Sequence, residues 1–268
     1  MPENRFTDVR RFASIDSTNR YLLDEARAGA PEGVVAVADH QTAGRGRLGR
    51  SWEAPAGANL LMSVLLRPDL APDQRYLATT AVALAAVDSI GASGAGVAGP
   101  GAGRLRIGIK WPNDLVASDG RKLAGVLAEA DLAAATPGVP APVVVGIGIN
   151  VNWPAEDGDL PPELRGAAAS LRQLAGAEVD REALLAALLA ALGPRVAALA
   201  TGEGRSRLAD DLRSGCTTIG TTVRVDLPDG SFTGTALSVT DEGHLVVDAA
   251  GKQRTVVAGD VVHVRPGA

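Results

Sequence analysis

The amino-acid sequence predicts a mixed α+β domain followed by a small all-β unit, and three observations carry that prediction. The 268 residues are 46% hydrophobic and 21% charged, which suits one catalytic-sized globular domain with a small appendage. Helix-like and strand-like stretches alternate through residues 1–217. From Thr221 the pattern changes to short alternating strands separated by turns, the mark of a small separate β-barrel, which we place at residues 218–268.

Asp16-Ser17-Thr18-Asn19 offers N-cap side chains directly before Tyr21, Leu22, Leu23 and Ala26, a spacing that predicts a short amphipathic helix ending near Gly29. Val34–Ala38 is an apolar, β-branched strand feeding a polar, Gly-rich loop from Asp39 to Arg50, and Asn59–Leu66 is a second strand. Pro72–Ile90 has the Ala/Leu-rich composition of a packing helix, and Gly91–Gly103 that of an aperiodic surface loop. Ile107–Lys110 is a short strand, and Leu115–Ala117, the turn Ser118-Asp119-Gly120 and Leu123–Ala130 make a hairpin. Val143–Val151 is a buried central strand and Arg181–Leu199 an apolar helix. In the appended unit, strands are expected at Thr222–Leu227, Phe232–Val239, Leu245–Val247 and Thr255–Val264.

The formal charge of −5 removes the electrostatic footprint of a duplex nucleic-acid binder, so any basic site is local. A single cysteine, Cys216, excludes an internal disulfide and a Cys-rich metal site. With no signal-peptide core and no long apolar run, a soluble, cytoplasmic protein with no membrane partner is expected. Aromatics are scarce, yet Trp52, Trp111 and Trp153 all stand beside the segments that carry chemistry.

Gly44-Arg45-Gly46-Arg47-Leu48-Gly49-Arg50-Ser51-Trp52 satisfies G-x-G-x-x-G, but irregular sequence follows it where a dinucleotide fold needs a helix, and no Walker loop is present. What remains is a glycine-punctuated loop with three arginines, suited to enclosing an anion, because glycines admit close backbone approach and guanidinium forks bind carboxylate or phosphate. Lys110-Trp111-Pro112-Asn113-Asp114 puts a lysine at a strand end beside two stiff residues, a placement that suits an ammonium fixed against a phosphate. In Lys122-Leu123-Ala124-Gly125-Val126-Leu127-Ala128-Glu129 and Gly146-Ile147-Gly148-Ile149-Asn150-Val151-Asn152, glycines keep one strand face bare, as a pocket floor or as close strand packing requires.

These segments together, with Ser17-Thr18-Asn19 and Gln41, resemble the biotin protein ligases closely, in the same order over about half the chain. The resemblance implies a seven-stranded mixed-sheet catalytic domain like that of class II aminoacyl-tRNA synthetases, followed by an SH3-like barrel. It implies two half-reactions: biotin and ATP, with Mg2+, give biotinyl-5′-AMP and pyrophosphate, then a lysine of a biotin carboxyl carrier domain takes the biotin. By the same resemblance Ser17, Thr18, Asn19, Gln41, Gly44, Arg45, Gly46 and Arg47 bind biotin, with Gly125, Leu127, Gly146 and Gly148 as pocket floor. Arg47, Arg50, Trp52, Lys110, Asn113 and Asn150 face the nucleotide. Lys110 and Arg47 carry the catalysis, Lys110 bridging carboxylate and α-phosphate, while Asn113 and Asp114 orient Lys110 or reach Mg2+. The C-terminal unit, through Gly259-Asp260, His263 or Arg265, assists nucleotide or carrier. Only 16 residues precede the Ser17 motif, so no DNA-binding domain and no DNA partner are expected; whether the chain is a monomer or a weak dimer is left open. The alternatives kept are a lipoate–protein ligase of the same fold and a non-catalytic biotin-binding module.

Overall fold

The computed structural model describes residues 5–92, 107–131, 140–227, 230–257 and 260–263. Seven strands, β1 (Val9–Phe12), β2 (Val35–Ala38), β3 (Leu60–Leu66), β4 (Ile107–Lys110), β5 (Asp114–Ala117), β6 (Lys122–Ala130) and β7 (Val143–Ile149), form one sheet in the order β1-β2-β3-β7-β6-β5-β4. β1 pairs with β2 in parallel and every other pairing is antiparallel, so the expected seven-stranded mixed sheet is present.

Period-2 alternation sends the two faces of this sheet to different partners. Met62 and Val64 of β3 and Val145 and Ile147 of β7 enter the main core with α2 (Tyr76–Ala92) and α4 (Arg181–Ala198). α2 is apolar on nearly all sides and buried along most of its length; α4 presents Leu184, Leu188, Leu192 and Val196 as a helical stripe. The opposite face carries α1 (Thr18–Arg27), where Leu22 and Ala26 pack on Ala36, Leu65 and Val144. Ser17 is the N-cap of α1, extended at φ −158° and accepting from the Arg20 amide.

α1 is short and covers only part of its face. Beyond it, register aligns Ser63, Gly146 and Leu127 across β3, β7 and β6, and the next row aligns Leu61, Gly148, Gly125, Asp114 and Lys110 out to β4. Glycines in the middle of both rows open the sheet surface, and this is where the cavity forms.

The C-terminal strands β8 (Thr222–Leu227), β9 (Gly230–Val239), β10 (Leu245–Ala249), β11 (Lys252–Val256) and β12 (Asp260–His263) form an antiparallel sheet in the order β11-β10-β9-β8-β12. The single strand expected over Thr255–Val264 is two: β11 closes a tight hairpin with β10, and β12 returns to pair with β8. The small β unit expected is thus present, and it packs against the main domain, since Val223, Val225, Leu245 and Val247 join the same continuous core as α2 and α4. Three other elements escaped the sequence reading: β1, the short α3 (Leu171–Ala175) and α5 (Gly202–Gly215). α2 also runs to Ala92, past the loop start expected at Gly91; the rest of that expected loop, the Pro228-Asp229 turn, Gly259 and Arg265, and the His263 side chain, lie outside the described residues.

Candidate active site

A cavity of about 440 Å3 opens on the α1 face of the sheet, and every residue of the main domain assigned from the sequence to biotin, nucleotide or catalysis lines it except Gly44. At its base lies a hydrogen-bonded cluster from the start of α1. Gln41 Oε1 accepts from both the Thr18 amide (2.8 Å) and the Thr18 hydroxyl (3.0 Å), and that hydroxyl also contacts Ser63 Oγ at 2.7 Å. Ser63 Oγ donates to Asn19 Oδ1 at 2.6 Å, while Asn19 Nδ2 donates to Glu129 at 2.8 Å and to the Leu127 carbonyl at 3.2 Å. Gln41 thereby keeps its amide nitrogen, and Ser17 its hydroxyl proton, for a ligand.

The expectation of a bare glycine floor is corrected by what fills it. A Cβ on Gly146 would lie 2.2 Å from Asn19 Oδ1, and one on Gly148 would lie 2.6–2.9 Å from the Trp52 indole. Trp52 also spans Gly125, where a Cβ would come within 3.2 Å of the ring, and Lys122 Nζ sits 5.4 Å from the ring centroid. The glycines thus admit two particular side chains, and the missing methyls are what let Asn19 and Trp52 reach the sheet.

Above this floor runs the Gly-Arg loop. Gly44 lies behind the lining and passes so close to the Trp52 carbonyl that a Cβ would stand 2.3 Å from it; an isolated bridge, Arg45 to Ser51, closes the loop base. Gly49 is left-handed at φ 73°, and so is Leu48 at φ 57°, a non-glycine conformation that carries strain. Arg45 pairs with Glu129 at 3.1 Å, and Arg47 donates to Asn113 Oδ1 at 3.2 Å. No helix follows the loop, in keeping with the rejection of a dinucleotide fold.

Lys110 ends β4 on the cavity wall, and among the described residues no carboxylate pairs with it. The chain beside it is fixed from two sides. Trp111 is 1% exposed, its backbone amide donates to Thr218 Oγ1 (3.0 Å) and its indole to the Gly243 carbonyl (2.9 Å). The Tyr76 hydroxyl donates to the Pro112 carbonyl, and burial pushes the Tyr76 phenol above its ordinary range, so it stays a donor. The two roles left open for Asn113 and Asp114 find no support here: Asn113 joins Arg47 to the Val126 carbonyl, and Asp114 pairs with Lys122 at 2.7 Å. Asn150 lines the cavity, but its amide is committed to Asn59 and the Ala169 carbonyl. Sequence reasoning assigned no role to Ser63, Glu129, or Val261 and Val262 of β12. Ser63 had a signal, a lone hydroxyl inside an apolar strand; the β12 valines had none.

The arrangement offers hydrogen-bonding groups at one end, a lysine on a braced strand end at the other, and a cationic loop over both. Comparison with known proteins identifies the family. Residues 11–150 match the biotin/lipoate A/B protein ligase family, and residues 218–264 the biotin protein ligase C-terminal domain. The chain is 41% identical over 257 residues to the biotin–[acetyl-CoA-carboxylase] ligase of Mycobacterium tuberculosis, covering 94% of this chain and 88% of that one. It is 34% identical over 247 residues to the bifunctional ligase/repressor BirA of Bacillus subtilis, covering 92% and 71% respectively. Its fold resembles that of the Aquifex aeolicus biotin protein ligase solved with biotin and ATP, with a TM-score of 0.76 at 24% identity over 97% of this chain and 100% of the other. On these matches and this geometry, the chain belongs to the biotin/lipoate A/B protein ligase family.

Proposed function

We propose that the chain activates biotin with ATP, forming biotinyl-5′-AMP and pyrophosphate, and then transfers biotin to a lysine of a biotin carboxyl carrier domain. The single observation that carries this reading is the continuity of one cavity from the Ser17–Gln41 cluster to Lys110 beneath the arginine loop. The relatives named as biotin–[acetyl-CoA-carboxylase] ligases in Mycobacterium tuberculosis and Paracoccus denitrificans support the same substrate class.

The chemistry follows from placing two anions together. Biotin's ureido ring both donates and accepts hydrogen bonds, which the Ser17 hydroxyl and the Gln41 amide nitrogen as donors, and the second lone pair of Asn19 Oδ1 as acceptor, can meet. Its carboxylate then reaches Lys110, whose ammonium, held by a chain fixed at Trp111 and Pro112, offsets repulsion as a carboxylate oxygen attacks the α-phosphorus and pyrophosphate leaves. Arg47, steadied by Asn113, adds charge from the loop. Arg50 and Trp52 flank the nucleotide side, and the loop excludes water from the mixed anhydride until the carrier lysine amine attacks its carbonyl, the acyl–oxygen bond breaks and AMP leaves. Mg2+ would arrive on the nucleotide's phosphates. The donors in place do not fit a resident ion, because Asp114 is paired with Lys122 and Asn113 with Arg47, and no cluster of three or more metal-ligating side chains occurs among the described residues.

The C-terminal unit, residues 218–268, supports Lys110 through Thr218 and Gly243 and lends Val261 and Val262 to the cavity wall. No described helix is long and apolar enough to cross a membrane. The test is labelled biotin or lipoate with ATP and an unmodified biotin carboxyl carrier domain. ATP-dependent label on the carrier from biotin alone is expected; label from lipoate alone, or none, overturns the reading.

A further inference from the structure

Gly125, Leu127 and Glu129 alternate onto the face of β6 that bears the cavity. Glu129, aligned with Val144, stands one row beyond the lining, and its Oε2 accepts from two donors of separate origin: Asn19 Nδ2 at 2.8 Å and Arg45 NH2 at 3.1 Å. Asn19 belongs to the pocket base and Arg45 to the loop above it. The rest of the Asn19 amide is fixed by Ser63 and the Leu127 carbonyl, in room that only Gly146 allows. As a partly exposed ion pair, Arg45 with Glu129 is worth little to stability. Its placement is what has a use.

We infer that Glu129 is a positioning residue for biotin: its carboxylate fixes the Asn19 amide nitrogen, leaving the second lone pair of Asn19 Oδ1 to accept a ureido N–H, and latches the loop through Arg45, making head-group recognition and loop closure one event. The inference deepens the biotin reading and rests on it. It also gives the cavity an electrostatic polarity. Lys110 lies two strands across from Gly125 in the same row, and Glu129 is four residues further along β6, an offset of about 13 Å along the strand at the rise of extended chain. An anionic ligand therefore enters with its carboxylate toward Lys110 and its neutral ring toward Glu129.

The experiment uses the whole chain with Glu129→Ala, the isosteric Glu129→Gln, Arg45→Ala and the double variant Arg45→Ala/Glu129→Ala. KM for biotin and for ATP comes from biotin-dependent pyrophosphate exchange, and the release rate of biotinyl-AMP is followed separately. Losing a charged acceptor predicts that Glu129→Ala raises the biotin KM about tenfold or more, with the ATP KM within about twofold. Glu129→Gln keeps an oxygen for Asn19 but no charge for Arg45, so its biotin KM stays nearer wild type while biotinyl-AMP still leaves faster. In the double variant the release rate should match that of the worse single variant within about twofold, because both changes break one contact. Equal rises in both KM values, unchanged variants, or multiplying effects in the double variant overturn the role of Glu129. A wild-type chain without biotin-dependent exchange removes the biotin reading itself, and this inference with it.

Discussion

Lys110 is held through its neighbours, and that arrangement makes its contribution measurable. The negative charge on carboxylate and α-phosphate is greatest in the transition state, so a fixed ammonium favours it over the ground state. Lys110→Ala should lower adenylate formation by about 10²-fold or more, with much less effect on transfer from supplied biotinyl-AMP. Lys110→Arg should rescue poorly, since a planar fork does not occupy a point charge's place. Single-turnover kinetics of the two half-reactions decides it; near-normal adenylation with lost transfer would put Lys110 on the carrier side. The floor glycines give a second, separable test. Gly146→Ala drives a methyl into Asn19 and should raise the biotin KM, whereas Gly148→Ala drives one into Trp52 and should raise the ATP KM and shift tryptophan emission. Identical kinetic effects from both would mean the floor is not divided this way. Their positions were legible in the alternation of Gly146 and Gly148, but what fills them was not, because Asn19 and Trp52 are distant in sequence and meet the strand only through the fold.

Among elements, the Gly-Arg loop carries backbone strain at its tip: Leu48 is 68% exposed in a left-handed conformation, and Gly49 adds backbone freedom. Hydrogen exchange over residues 41–52 should slow when biotinyl-AMP binds; equal protection with and without it contradicts closure. Arg47→Ala should weaken adenylate retention by about 2–4 kcal/mol, read as the release rate, because a bound charge loses its partner. The apolar strands β2, β3 and β7 and the helices α2 and α4 were plain in the sequence, since their residues bury one face or both in the main core. β1 was not, because Arg10 and Arg11 sit mid-strand on a sheet edge and break any apolar run. α5 was hidden by its glycines at 202, 204 and 215, although the Thr201 cap and the buried pair Leu208 and Leu212 were readable signals.

For the whole molecule, the C-terminal unit is a brace for the catalytic strand end. Removing residues 218–268 strips the partners from both Trp111 nitrogens and exposes the shared core, so truncation should unfold the chain rather than leave a biotin-binding remnant. Thr218→Val is the gentler probe: it leaves the buried Trp111 amide without an acceptor, at a cost of about 1–3 kcal/mol, and should lower Tm together with the adenylation rate. A folded truncation that exchanges pyrophosphate at full rate would contradict the brace. The change of pattern at Thr221 announced this unit, but nothing in short alternating strands reveals that Gly243 and Thr218 reach back to Trp111. The central claim is that one cavity joins biotin recognition to attack on the α-phosphate, and biotin-dependent exchange of labelled pyrophosphate into ATP by the whole chain tests it most directly. Exchange that requires biotin, is not supported by lipoate, and collapses in Lys110→Ala is the predicted result; no exchange, or exchange with lipoate in place of biotin, would contradict it.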